Sequence, residues 1–146
     1  MIKTTVREVV EAFSALSSIG AEKLPAKAAY RVSKLISKLK SEVKDFEETK
    51  RKLFLDAGGV SENGGITLKE PVRRDDEPQA DFDEREKAHK ETINKLSADL
   101  DELLKEPTEI DYDAIPLSLF ENEKDPEKSA QLRPVDLANA GSFIKE

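Results

Sequence analysis

At 146 residues, with 37% apolar and 38% charged side chains and a net charge of −7, the chain has length for one domain but too few apolar residues for a thick core, which suits an elongated helical protein. It contains no cysteine and a single histidine, His89, which excludes disulfides, thiolate metal sites, thiol catalysis and any triad or multi-histidine metal site built within one chain. With no Trp, two Tyr and six Phe, neither a large cofactor pocket nor a base-stacking surface is suggested, and no cofactor is expected.

The N-terminus, MIKTTVREVVEAF, lacks the uninterrupted apolar core and cleavage site of a signal peptide, and no run approaches eighteen apolar residues. A soluble protein made in a cytoplasm, without membrane contact, is expected. The first element is a short helix over 5–19. Thr5 and Glu8 stand at capping-box spacing, Val6, Val9, Val10, Phe13 and Leu16 share one stripe, and Gly20 suits a left-handed C-cap. So short a helix is marginal alone and must pack on a neighbour. Pro25 then opens a long helix over 25–57. In it Ala29, Val32, Ile36, Leu39, Val43, Phe46, Leu53 and Ala57 alternate three- and four-residue steps, a heptad seam with Lys50 as its one polar member. At 1.5 Å per residue it would reach roughly 45–50 Å, which predicts a rod.

Gly58-Gly59 stops that helix. In the turn region 58–80, Asn63-Gly64-Gly65 lies between the runs Gly59-Val60 and Ile66-Thr67-Leu68, the commonest signal for a tight β-hairpin, with a plain loop as the alternative. Arg73 to Pro78 is a charged connector, and Asp81 is an N-cap for a second helix over 81–105. Phe82, His89, Ile93, Leu96, Leu100 and Leu103 continue the seam there. Glu86 and His89 weaken its first half, so its last three turns should pack against the first half of the long helix if the pair is antiparallel. Residues 107–146 form an extended arm. In it Ile110, Tyr112 and Ala114 alternate with Glu109, Asp111 and Asp113, Pro116 marks an edge strand, and 121–131 reads as a polar loop. From Arg133 a short helix restarts toward Phe143 and Ile144. The predicted fold is a single domain, 1–146, mainly α: a long antiparallel helical hairpin, coiled-coil-like and prefoldin-like in shape, with a short N-terminal helix, a small β-hairpin at the tip and an extended C-terminal arm.

No catalytic or metal-binding residues are identified. Asp75-Asp76 and the Glu109/Asp111/Asp113 series lack the spacing of a calcium loop, the Gly pairs are not followed by Gly-Lys-Ser/Thr, and His89 reads as tolerated packing. What stands out is charge: residues 1–57 carry 12 basic and 8 acidic side chains, and 58–146 carry 12 and 23. Lys23, Lys27, Arg31, Lys34 and Lys38 lay a basic stripe on the long helix. It is either a solvated face paired with the chain's own acidic half or a surface for an acidic partner. Nucleic acid is disfavoured because the chain is acidic and the stripe has no aromatic interleaving. The candidate partner-binding residues are therefore Lys27, Arg31, Lys34 and Lys38, with Ile115, Leu117, Phe120, Phe143 and Ile144 of the arm, whose apolar side chains could cover the long helix or dock on a neighbour.

Leu24, Pro25, Lys27 and Tyr30, followed by the charged helical hairpin, Ile115-Pro116-Leu117 and a closing Pro-x-Asp-Leu helix at 134–137, resemble small proteins of tailed bacteriophages and prophages that have no assigned enzymatic activity. The resemblance implies a non-enzymatic structural protein. It would be a minor component of the head, neck or tail of a virion, made in the host cytoplasm, that contacts other phage structural proteins and further copies of itself. No small-molecule substrate is expected. A cytoplasmic assembly chaperone or scaffolding factor is the first alternative and a nucleic-acid accessory protein the second.

Overall fold

Thr5 decides where the first helix begins. Its hydroxyl accepts from the Glu8 N–H (3.4 Å) and the Glu8 carboxylate accepts from the Thr5 N–H (3.3 Å), so the expected capping box is formed. The computed structural model of the protein describes residues 1–121 and 129–146. In chain order the elements are β1 (Ile2–Thr5), α1 (Val6–Gly20), α2 (Ala26–Asp56), β2 (Val60–Glu62), β3 (Gly65–Thr67), α3 (Gln79–Leu104), β4 (Pro107–Ile110), β5 (Ile115–Pro116), α4 (Pro134–Ala140) and β6 (Ile144–Lys145), with 3₁₀ turns at Leu117–Phe120 and Gly141–Phe143. The fold is mainly α, with a helical hairpin and, among the described residues, three two-stranded pairings. Two compact units form: residues 1–45 with 104–146, and residues 46–103. Part of the polar loop expected at 121–131 lies outside the described residues.

In the first unit the two ends of the sequence build one core. β1 pairs antiparallel with β4, Ile2 opposite Ile110 and Thr5 opposite Pro107, and the Val6 N–H continues the ladder to the Glu106 carbonyl at 2.9 Å. The predicted alternation of the arm holds, with Ile110 buried, Tyr112 half-buried and Glu109, Asp111 and Asp113 exposed. β5 and β6 run parallel, with Ile115 beside Ile144. α1 packs on α4. Ala12, Ala15 and Ala140 are all buried, and side chains this small let helix backbones approach. The core is completed by Val9, Leu16, Ile19, Ala28, Val32, Leu35, Leu39, Phe120 and Phe143.

This core departs from the predicted seam. Ala29 is exposed while Ala28 and Leu35 are fully buried, and Ile36 and Val43 are only half-buried. A two-helix seam is narrow, but the first half of α2 is covered by α1 and by the returning arm, so the broader stripe Ala28, Val32, Leu35, Leu39 turns inward. No α3 residue belongs to this core. Gly20 also differs from expectation. It is the last helical residue, and the turn closes through Ala21 N–H to Ser18 O (3.3 Å) and Glu22 N–H to Ile19 O (3.0 Å), which occupies carbonyls without a positive φ.

Across the α1–α4 contact the Asp136 carboxylate is buried. It accepts from Ser18 Oγ (3.3 Å) and from Arg133 Nε (3.0 Å), while Arg133 Nη2 also donates to Ser18 Oγ (3.0 Å). The carboxylate beside Arg133 holds the guanidinium above its ordinary range, and among the described residues every buried side-chain nitrogen and oxygen has a hydrogen-bond partner.

The second unit holds the last part of α2, the β2–β3 hairpin and most of α3. Gly58, at φ +96°, and Gly59 end α2: the Gly58 N–H donates to Leu55 O (3.0 Å) and the Gly59 N–H to Phe54 O (2.8 Å), a Schellman pattern. The Asn-Gly signal is realised as a two-residue turn, with Asn63 at φ 49° and Gly64 at φ 80° and Glu62 opposite Gly65. The charged connector is organised by Glu77, whose carboxylate accepts from Arg85 Nη2 (2.6 Å), Arg85 Nε (2.9 Å) and the Arg74 N–H (3.2 Å). Arg85 also donates to the Val72 carbonyl at 2.9 Å. These donors hold the Glu77 carboxyl below the usual carboxylate range, with the Arg85 hydrogen bonds the main cause. Asp81 lies inside the first turn of α3 rather than at its cap, since Pro78 O already accepts from the Asp81 and Phe82 N–H groups. In α3 only Leu96 is buried. Phe82, His89, Leu100 and Leu103 are half-buried and Ile93 is exposed.

Candidate functional site

The basic stripe, apart from Lys23 in the turn before it, lies on the part of α2 that belongs to the first unit. Lys23, Lys27, Lys34 and Lys38 are exposed and Arg31 is half-buried. Among the described residues no carboxylate pairs with Lys27, Arg31, Lys34 or Lys38 within 4.0 Å. Within the described residues this part of the stripe is not consumed by ion pairing with the chain's own carboxylates.

The stripe is also aromatic, contrary to the sequence-based expectation. Tyr30 lies within it, 62% exposed, and the Lys34 ammonium stands 5.6 Å from its ring centroid. Arg31 reaches the other way, its guanidinium 5.3 Å from the ring centroid of Tyr112, in the segment after β4. Both tyrosines of the chain therefore carry a cation of α2 on their faces. Between α2 and the 3₁₀ turn at Leu117–Phe120, an open groove of about 480 Å³ is lined by Ala26, Lys27, Tyr30, Arg31 and Leu119. On the far side of Arg31 a second groove of about 340 Å³ is bordered by Met1, Asp111, Tyr112 and Asp113.

The arm residues predicted to dock on a partner are placed elsewhere. Ile115, Phe120 and Phe143 are fully buried, and Leu117 and Ile144 pack half-buried against the same core. Ile115, Phe120 and Phe143 complete a core that α1 and α2 would otherwise leave open, while Leu117 and Ile144 keep part of their surface accessible. The residues the sequence reasoning missed are Tyr30, Tyr112 and Leu119. Tyr30 was detectable, three residues after Lys27 and four before Lys34; Tyr112 and Leu119 reach α2 only through the fold.

Among the described residues no group of three His, Asp or Glu side chains is placed to hold a metal ion, and no helix is long and apolar enough to cross a membrane. Comparison with known proteins finds no matching family model, no matching curated protein and no matching solved structure.

Proposed function

We propose that this protein is a non-enzymatic structural component of a bacteriophage particle, a minor protein of the head, neck or tail that works through protein–protein contacts in a multi-copy assembly. The observation that carries the protein-contact part is the exposure of Tyr30 among Lys27, Arg31 and Lys34, in a chain that buries Phe46, Phe120 and Phe143. Tyrosine and arginine on an accessible surface are the residue types that dominate binding energy at interfaces. The phage part rests on the resemblance of Leu24, Pro25, Lys27, Tyr30 and Ile115-Pro116-Leu117 to small tailed-phage proteins. With most of the arm's apolar residues in the core, the surfaces open to contacts in such an assembly are the α2 face, Val135 of α4, and Leu55, Val60, Val72 and Ile93 of the second unit.

The test is quantitative mass spectrometry of particles purified from the host that carries the gene. A fixed copy number per mature particle is expected. Presence in assembling particles but absence from mature ones would replace this reading with the assembly-chaperone alternative.

A further inference from the structure

We infer that the groove between α2 and the 3₁₀ turn at Leu117–Phe120 is a docking site for a short acidic peptide segment of a partner protein, held extended along α2 with one apolar side chain seated between Tyr30 and Leu119. The inference rests on the protein-contact reading above and names the chemistry of the partner.

The groove combines two features that call for different parts of one ligand. Its lining joins the apolar and aromatic side chains of Ala26, Tyr30 and Leu119 to two cationic residues, Lys27 and Arg31. An apolar side chain satisfies the first and carboxylates satisfy the second. Lys27, Arg31, Lys34 and Lys38 rise about 4.5–6 Å per step along the helix axis. Side chains on one face of an extended peptide recur about every 6.5–7 Å. Carboxylates at alternate peptide positions therefore keep pace with the stripe within the reach of a lysine side chain. Lys34 and Arg31 are already held against tyrosine rings, so their positioning costs less side-chain entropy on binding than free cations would.

The same surroundings favour a peptide over nucleic acid. Asp111 and Asp113 border Arg31 on its other side, and the chain as a whole is at −7. A polyphosphate tracking the stripe would meet both repulsions at every phosphate, whereas a peptide contributing two or three carboxylates brings less charge against them.

The experiment pans a random-peptide display library against the immobilised full-length protein, then titrates the selected peptides, fluorescein-labelled, by anisotropy. Enriched sequences should carry Asp or Glu at alternate positions around one Leu, Ile, Phe or Tyr. Lys27→Glu with Lys34→Glu, and separately Tyr30→Ala, should each weaken binding about tenfold or more, and added salt should weaken it too. Lys87→Glu with Lys90→Glu in α3 should leave it unchanged. All these substitutions are at exposed positions, and circular dichroism checks that the fold is kept. Selection without acidic residues, affinity indifferent to the α2 variants, or single-stranded DNA binding that the same variants abolish while no peptide is enriched would each overturn the inference. Such a failure leaves the copy number in particles untouched. Absence from particles, conversely, leaves the peptide selection untouched, so the two readings fail separately.

Discussion

Arg31 stacks its guanidinium 5.3 Å from the ring centroid of Tyr112, and so ties the exposed face of α2 to the segment that follows β4. This contact sets a cation beside the groove and adds to the core and strand contacts that hold the C-terminal arm along the first half of α2. A double-mutant cycle with Arg31→Gln and Tyr112→Leu, read by urea denaturation, should give a coupling of about 0.5–1 kcal/mol. Additive effects of the two substitutions would show that the stacking contributes nothing.

The register of α2 is open to a direct comparison. Leu35→Ala should destabilise the protein by about 2–5 kcal/mol, because Leu35 is fully buried. Ala29→Lys, at an exposed helical position, should stay within about 0.5 kcal/mol of the parent. The opposite order would restore the heptad seam through Ala29.

The arm is predicted to belong to the folding unit rather than to hang from it. Phe120→Ala and Phe143→Ala should each cost about 3–5 kcal/mol and loosen β1 and β4 together with α1, observed as faster amide exchange in all three. Exchange changes confined to residues near the substitution would argue that the arm folds apart from the N-terminal elements.

At the end of α2, Gly59 has no room for a methyl group. A Cβ there would lie 2.6 Å from Ile66 Cγ2 and 2.7 Å from the Phe54 carbonyl oxygen. Gly59→Ala should therefore destabilise the second unit by about 1–3 kcal/mol, measured as a lowered melting transition. Wild-type melting in that variant would mean the β2–β3 hairpin moves aside freely.

The Glu77 carboxyl is held below the ordinary value of 4.5 by Arg85 and the Arg74 N–H. Its stabilising contribution is then fully present above that ordinary value and is lost as the pH falls through the lower, folded-state value. Melting curves recorded from about pH 5 downward should show this loss in the parent and a weaker dependence in Glu77→Gln. Identical acid profiles would show that the Glu77–Arg85 pair does not couple to folding.

Local signals were legible wherever neighbouring residues alone settle a conformation. Thr5 and Glu8 satisfy each other within one turn, Asn63-Gly64 places two positive φ angles in succession, and Gly58-Gly59 closes a helix with its own carbonyls. The period of α2 was legible as amphipathic, but its inward face was displaced by one residue at Ala28/Ala29, because a three- and four-residue repeat fits a narrow seam and a broad buried stripe almost equally well. β1 went unread, since Ile2 to Thr5 is too short to declare a strand before its partner at 107–110 is known. For the candidate site, the cations of α2 were visible in the spacing, while the arm residues chosen beside them proved to be core.

What the sequence by itself determined is the helices, the Thr5–Glu8 and Gly58-Gly59 caps, the β2–β3 hairpin and the basic stripe, all products of contacts within a few residues. Only the tertiary structure decided what that stripe is. By folding both ends of the chain around the first half of α2, it takes Phe120 and Phe143 out of solvent, because burying them is worth more than exposing them. The same return brings Leu119 to α2, where it helps line a groove beside the charged helix face, and sets Tyr112 against Arg31. Pairings across eighty or more residues carry no local signature; they exist because the core they close is the one that buries the most apolar surface.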